Sequence, residues 1–185
     1  MKLGQGCHQR IVDGTFCVDR SDSVAALLRD RGEILRLLDR LGLPTPARDP
    51  DTTNCCTLSR AQRSARKLGY PLALKPGIRA PGQGVTLDVR DAQGFDRAFA
   101  RAREHGRNVI VERFIAGATY KLILANRELV GIVRLPAGGR PAPEATSLAH
   151  PSIVASALAA AAAVNAGLLV LTLVCPDLSL PLAAS

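Results

Sequence analysis

The segment from Ile153 to Cys175 contains no charged residue, and it constrains the fold more than any other part of the chain. A charge-free run of this length is a candidate for a membrane-spanning helix. However, its first half is mostly alanine, Asn165 and Gly167 interrupt it, and no Lys or Arg flanks it closely to set an orientation in a membrane. We therefore expect a buried helix at about 151–164, a turn at 165–167 and a buried strand at 168–174. A membrane anchor is the alternative.

A glycine-rich loop follows a short apolar strand in the middle of the chain. Residues 71–75 predict a strand that ends at Lys75, and the loop at 76–84 contains three glycines and two prolines before a returning strand at 85–89. Glycine permits the dihedral angles with which backbone amides fold over anionic oxygens. This arrangement is typical of a phosphate site, although most such loops are turns and most strand-end lysines are solvated.

A second apolar strand, at 109–111, runs into the connector Glu112-Arg-Phe-Ile115. A connector of this kind can offer backbone amide and carbonyl groups to the edge of an adenine ring. The lysine, the glycine loop and this connector, in this order, are more specific together than any of them alone.

Helical periodicity predicts three helices in the first 105 residues. The first is capped by Asp22 or Ser23 and ends at Gly42, the second spans about 58–68 and ends at Gly69, and the third, capped by Asp91, spans about 92–105. The buried stripe of the first helix comprises Leu27, Leu28, Ile34, Leu35, Leu38 and Leu41.

Strands at 120–125 and 128–134 are separated by Asn126-Arg127, which predicts a hairpin. The order of elements indicates an α+β fold with a mostly antiparallel sheet. We divide the chain into an N-terminal strand, loop and helix (1–48), a subdomain with the glycine loop (49–117) and the start of a C-terminal subdomain (118–185).

The formal net charge of +8 suggests an anionic partner. The arginines are spread along helix faces, and the chain has neither a concentrated basic tract nor aromatic stacking platforms, so we do not expect nucleic-acid binding. The odd number of cysteines and a vicinal pair argue against a disulfide framework and favour the cytoplasm. The five are Cys7, Cys17, Cys55, Cys56 and Cys175.

Several motifs resemble one known family. They are the opening Leu3-Gly-Gln-Gly-Cys-His-Gln-Arg10, the helix exit Leu41-Gly-Leu-Pro-Thr-Pro46 and the strand Leu68-Gly-Tyr-Pro-Leu-Ala-Leu-Lys75-Pro. Together they resemble the ligase module of cyanophycin synthetases, which belong to the ATP-grasp superfamily. The resemblance covers about residues 2–134 and resumes at His150-Pro151 and Cys175-Pro-Asp177.

The resemblance implies a two-subdomain ATP-grasp fold and a carboxylate–amine ligase that uses ATP and Mg²⁺ and acts through an acyl phosphate. Lys121 and Arg134 lie where the family carries basic residues toward the phosphates, so they are candidate phosphate or substrate contacts, and ordinary surface charge is the alternative. The resemblance also implies an ATP site made of a phosphate-contacting pair, a glycine lid and an adenine hinge. These residues are Arg31, Lys75, Gly82, Gln83, Gly84, Glu112, Arg113, Phe114 and Ile115.

This chain departs from the family at several positions. Arg31 stands where the family has a lysine, Thr119 where an acidic residue commonly follows the hinge glycine, and Thr172 where a metal-binding aspartate is expected. The chain stops at Ser185, before the family's Glu-x-Asn segment. We therefore expect the C-terminal part of the fold to be missing, and we identify neither a metal ligand nor a catalytic residue. A noncatalytic, nucleotide-binding remnant is the alternative function.

The expected partners are a nucleotide and a small amino-acid or peptide substrate, with neither nucleic acid nor membrane. Missing C-terminal strands would expose sheet edges, so a homo-oligomer is a further expectation. His150 precedes a proline in a loop, where it acts either in local hydrogen bonding or in the site.

Overall fold

The computed structural model describes residues 2–3, 10–13, 16–18, 28–49, 57–78, 82–135, 144–164 and 167–182, the first three ranges in their backbone alone. The chain divides into two compact units. The first unit comprises Met1–Ala25 and Ala116–Ala184, and the second unit comprises Ala26–Ile115.

Nine strands, four α-helices and a short 3₁₀ helix at Thr146–Leu148 are present in the described ranges. The helices are α1 (Arg31–Arg40), α2 (Leu58–Leu68), α3 (Ala92–Arg103) and α4 (Pro151–Val164). The strands are β1 (Lys2–Leu3), β2 (Arg10–Asp13), β3 (Phe16–Val18), β4 (Leu72–Pro76), β5 (Thr86–Val89), β6 (Val109–Arg113), β7 (Ala118–Ala125), β8 (Glu128–Leu135) and β9 (Leu168–Cys175).

The second unit contains a three-stranded antiparallel sheet in the order β5-β4-β6. Alternate residues of a strand point to opposite faces, and Leu72, Leu74, Val109 and Val111 join one buried cluster with the apolar stripes of α2 and α3. Lys75 and the other alternate residues of β4 and β6 therefore lie on the face that points away from α2 and α3.

The ends of α2 and α3 follow from local sequence. The Asp91 carboxylate accepts a hydrogen bond of 2.6 Å from the amide of Gly94 and caps α3. Gly69 ends α2 with a φ of 72°, in the region that favours glycine. Both boundaries confirm the sequence-based prediction.

The first predicted helix differs from the observed one. Asp30 has extended dihedral angles, forms an isolated bridge with Ile78 and caps α1 by accepting from the amide of Glu33 at 3.0 Å. The prediction of one uninterrupted helix from Asp22 or Ser23 is therefore wrong at Asp30, because this long-range pairing interrupts the leucine pattern. Residues 21–27 lie outside the described ranges.

The first unit is built on a six-stranded antiparallel sheet in the order β1-β2-β3-β9-β7-β8. Helix α4 contacts β7 and β8, and its buried residues include Ile153, Ala157 and Ala161. Leu122 and Ile132, which are opposite each other in β7 and β8, are also buried. Small alanine side chains let the helix approach the aliphatic sheet closely.

The charge-free segment forms a helix followed by a strand, α4 and β9, as predicted. No helix within the described ranges is long and apolar enough to cross a membrane. The predicted hairpin is also confirmed, since Asn126 and Arg127 join β7 to β8 with φ values of 50° and 66°. Positive φ at both central residues is the pattern of a type I′ turn.

Candidate functional site

Lys75 and Glu112 form an ion pair on one face of the sheet of the second unit. Lys75 lies opposite Ile110 in the β4–β6 register, so Glu112, two residues further along β6, shares its face. The side chain of Glu112 is 3% exposed and that of Lys75 is 22% exposed. A carboxylate this deeply buried needs a cationic partner, and Lys75 supplies it.

Arg48 adds a second cation near Glu112. Its backbone forms an isolated antiparallel bridge with Glu112. Next to this bridge, the amide of Arg113 donates to the carbonyl of Ala47 at 2.8 Å. Burial lowers the pKa of Arg48, an effect that the Glu112 carboxylate opposes by attraction. The buried acid thus lies between two basic groups.

The guanidinium of Arg48 is itself held by a dense set of acceptors. It donates to the hydroxyl of Thr45 at 2.8 Å and to the carbonyl of Leu35 at 3.1 Å, and it pairs with Asp39. These contacts tie the end of α1 to the segment that runs beside β6. Arg48 is therefore a buried structural cation. Sequence analysis missed it because no local motif marks these acceptors, which include the backbone carbonyl of Leu35.

Arg31 lies where β4 leaves the sheet. Its amide donates to the carbonyl of Gly77 at 2.8 Å and its Nε to the carbonyl of Pro76 at 3.3 Å. The structure therefore brings Arg31 to the strand exit that follows Lys75. The two predicted phosphate-contacting side chains belong to one local arrangement in the second unit.

Two of the three predicted lid residues are glycines with positive φ, 71° at Gly82 and 66° at Gly84. A Cβ atom on Gly84 would come within 2.9 Å of Pro76 and 2.6 Å of His105, so only glycine fits there without movement. A Cβ on Gly82 would meet nothing within 4 Å, and Gln83 is exposed. The loop is therefore anchored at Gly84 and open at Gly82 and Gln83.

The residues of the connector after β6 differ in how many hydrogen bonds they make. The guanidinium of Arg113 donates to the carbonyls of Leu68 and Gly69 at 2.8 and 3.1 Å, at the end of α2. The amide of Phe114 donates to the carbonyl of Pro71 at 3.1 Å, and Ile115 is 38% exposed. The side chain of Arg113 and the amides of Arg113 and Phe114 are thus engaged within the second unit.

The first unit places Lys121 and Arg134 on opposite faces of its sheet. Lys121 is paired with Val133 and Thr172, whereas Arg134 is paired with Tyr120, the residue before Lys121. Since neighbouring residues of a strand alternate, one compact ligand group on one face would not meet both side chains. The structure does not bring these two predicted contacts together.

Lys121 instead donates to the hydroxyl of Thr172 at 2.6 Å. Thr172 is the residue found where the resemblance leads one to expect a metal-binding aspartate. Among the residues that the structure describes, no three acidic, histidine or cysteine side chains form a group that could hold a metal ion.

His150 makes local contacts at the start of α4. Its Nδ1 lies 2.8 Å from the Ser152 hydroxyl and accepts from the Ser152 amide at 3.2 Å, and its own amide donates to Leu178. These contacts match the local hydrogen-bonding interpretation. Cys175 is a buried free thiol, and Cys7, Cys55 and Cys56, as well as the side chain of Cys17, lie outside what the structure describes.

The chain is similar in sequence to cyanophycin synthetases, at 26–29% identity over about 74% of its length. The one from Crocosphaera subtropica is 28% identical over 141 residues. This chain spans about 16% of the length of that relative. No family model matches the chain.

Solved structures show the same fold. A RimK domain protein of the ATP-grasp type from Sphaerobacter thermophilus is 25% identical with a TM-score of 0.63, over 82% of this chain and 55% of its own. D-alanine–D-alanine ligase from Bacillus anthracis is 17% identical with a TM-score of 0.66, over 83% and 55%. These similarities cover part of an ATP-grasp fold.

Proposed function

Since the chain is a homologue of part of the cyanophycin synthetases and has the ATP-grasp fold, we propose that it binds ATP as part of a carboxylate–amine ligase. The observation that carries the proposal is the ion pair of Lys75 with the buried Glu112, at the strand exit that leads into the glycine loop. Lys75 lies near the end of β4, which fixes its position, and 22% of its side chain stays exposed.

In this proposal, the ammonium of Lys75 and the guanidinium of Arg31 attract the phosphates. The amides around Gly82, Gln83 and Gly84 close over the phosphate oxygens, since glycine at 82 leaves room for close approach. The backbone of the connector Glu112–Ile115 faces the adenine edge. Mg²⁺ accompanies the nucleotide phosphates, and we assign it no protein ligand among the described residues.

The reaction of such a ligase has two steps. A carboxylate oxygen of the substrate attacks the γ-phosphorus of ATP, the bond from that phosphorus to the bridging oxygen breaks, and ADP leaves an acyl phosphate. An amine then attacks the acyl carbon, inorganic phosphate leaves and the nitrogen loses a proton to solvent. Positioning and charge stabilisation are the main protein contributions to phosphoryl transfer.

A noncatalytic, nucleotide-binding remnant is the second candidate, and the contact between Lys121 and Thr172 favours it. A hydroxyl binds a divalent cation more weakly than a carboxylate does, and Thr172 already accepts a hydrogen bond from Lys121. A chain with this replacement can keep the binding of ATP while it loses phosphoryl transfer.

The test is ADP release from Mg-ATP in the presence of amino acids or short peptides, with hydroxylamine added to trap an acyl phosphate as a hydroxamate. Ligase activity predicts substrate-dependent ADP in an amount equal to the hydroxamate and the amide product together. The matched variants Thr172→Asp and Thr172→Asn separate charge from shape. ATP binding without turnover in the wild type and in Thr172→Asp would support the remnant, whereas no ATP binding would contradict both candidates.

A further inference from the structure

A groove of about 370 Å³ lies between β5 and α3 in the second unit. Its charged and polar lining includes Thr86, Asp88, Arg90, Asp91, Arg97 and Arg101. Binding sites for small molecules generally have volumes of about 300–1,000 Å³, so the groove is large enough for a small ligand.

The two acidic side chains of the groove are already engaged. Arg90 donates to both carboxylate oxygens of Asp88, from Nη2 to Oδ2 at 2.7 Å and from Nε to Oδ1 at 3.1 Å, and Asp91 accepts from the Gly94 amide at the start of α3. The Arg90 guanidinium holds the pKa of Asp88 below its usual range. These carboxylates thus have partners that reduce their repulsion of an incoming anion.

Two further guanidiniums line the groove from α3. Arg97 and Arg101 are exposed, and neither has a hydrogen-bond or ion-pair partner among the residues that the structure describes. Residues four apart lie on the same side of a helix, about 5–6 Å apart at Cβ. A guanidinium binds a carboxylate or phosphate with two parallel hydrogen bonds, so this pair suits an oxyanion.

Thr86 provides an independent observation. Its hydroxyl is buried and has no hydrogen-bond partner among the described residues. Thr86 is paired with Leu74, whose side chain lies in the cluster beneath α2 and α3, so the hydroxyl lies on the α3 side of the sheet. A buried hydroxyl without a partner is costly. Rotation about χ1 of Thr86 would turn the hydroxyl toward the groove, which Thr86 lines, and a ligand there would supply the partner.

The second unit also concentrates the positive charge of the chain. It contains 17 of the 24 Lys and Arg residues and 10 of the 16 Asp and Glu residues, which gives it a net charge of +7 out of the total of +8. This field attracts anions to the unit as a whole, and the groove adds directed donors to it.

We propose that this groove is a binding site for a small ligand with an oxyanion, either a carboxylate or a phosphate group, and that it is separate from the nucleotide site. The two sites lie on opposite faces of one sheet. Leu74 and Thr86 point toward the helices, whereas Lys75, the next residue of β4, points to the other face. In the bound state Arg97 and Arg101 pair with the ligand's oxygens, and the Thr86 side chain rotates so that its hydroxyl donates to the ligand.

The test is a ¹H–¹⁵N titration of the full chain with inorganic phosphate and, separately, with succinate, at constant ionic strength. We expect saturable shifts of the Thr86, Gly94 and Arg101 amides, and the probe that binds more tightly identifies the oxyanion. Shifts confined to residues 75–77, or no saturation with either probe, would overturn the proposal.

Two double variants that each remove two arginines distinguish specific binding in the groove from attraction by the overall positive charge of the unit. Arg97→Gln/Arg101→Gln is expected to weaken binding about tenfold or more, the equivalent of one lost charge-assisted hydrogen bond, about 1.4 kcal/mol. Arg63→Gln/Arg66→Gln removes the same charge from α2 and is expected to change affinity less than about twofold, since neither side chain lines the groove. Equal losses in the two pairs would overturn the proposal.

Thr86→Val tests the hydroxyl by a different route. It is expected to weaken the ligand several-fold while the urea midpoint of the free protein stays equal or rises, because the hydroxyl has no partner to lose. Unchanged affinity in Thr86→Val would contradict the contact to the ligand.

Discussion

The buried carboxylate of Glu112 is paired with Lys75, the last residue but one of β4 before the glycine loop. The pair joins β4 to β6 on the face opposite α2 and α3. One ion pair therefore links the predicted phosphate-contacting lysine to the predicted adenine hinge. The position of Lys75 depends on a carboxylate that water scarcely reaches.

The cost of removing Lys75 should depend on whether the buried Glu112 carboxylate is present. Lys75→Met leaves an uncompensated buried carboxylate and is expected to cost about 2–4 kcal/mol, with Arg48 limiting the loss. The double variant Lys75→Met/Glu112→Gln should cost less than the sum of the single variants. Urea unfolding of all four proteins measures this coupling. If the loss in the double variant equals the sum of the two single losses within about 0.5 kcal/mol, Lys75 and Glu112 do not stabilise each other.

Gly117 and Gly42 form a matched pair of glycines with positive φ, 151° and 65°. A Cβ on Gly117 would lie 2.5 Å from the carbonyl of Cys175, whereas a Cβ on Gly42 would meet nothing within 4 Å. Gly42→Ala should cost about 1–2 kcal/mol for dihedral strain alone, and Gly117→Ala about 2–5 kcal/mol because overpacking is added. Chemical denaturation compares them. Equal losses would mean that Gly117 is not sterically required.

Cys175 should make stability depend on alkaline pH. Burial raises the pKa of the Cys175 thiol, and the Asp177 carboxylate raises it further. A raised pKa in the folded state gives stability that is full below the unfolded thiol's pKa and is lost as pH rises through the folded pKa. From about pH 8 upward, the wild type should lose stability more steeply than Cys175→Ala. Parallel curves of unfolding free energy against pH would contradict this.

The sequence predicted the turns and helix ends correctly where contacts between neighbouring residues determine them. Asn126-Arg127 predicted the hairpin, Asp91 predicted the start of α3, and Gly69 predicted the end of α2. In each of these cases the decisive contact lies within a few residues of the signal. The charge-free segment was resolved for a similar reason, since Asn165 and Gly167 mark the break between helix and strand.

Contacts between distant residues could not be predicted in this way. The interruption at Asp30 depends on its bridge to Ile78, and the environment of Glu112 depends on Lys75 and Arg48, which lie far from it in sequence. The contact of Lys121 with Thr172 also joins residues that are distant in sequence. The strand register places Arg134 on the opposite face of the sheet from Lys121, and that register could not be predicted from the sequence. The site residues themselves stay predictions until a ligand is bound.

The central claim is that the second unit binds ATP through Lys75, and thermal unfolding with and without Mg-ATP tests it most directly. At a nucleotide concentration of about a hundred times Kd, binding adds roughly 2.7 kcal/mol, a rise in Tm on the order of 5–10 °C. We predict this shift for the wild type and for the surface control Arg63→Ala, and its loss in Lys75→Ala. No shift in the wild type, or an equal shift in Lys75→Ala, would contradict the account.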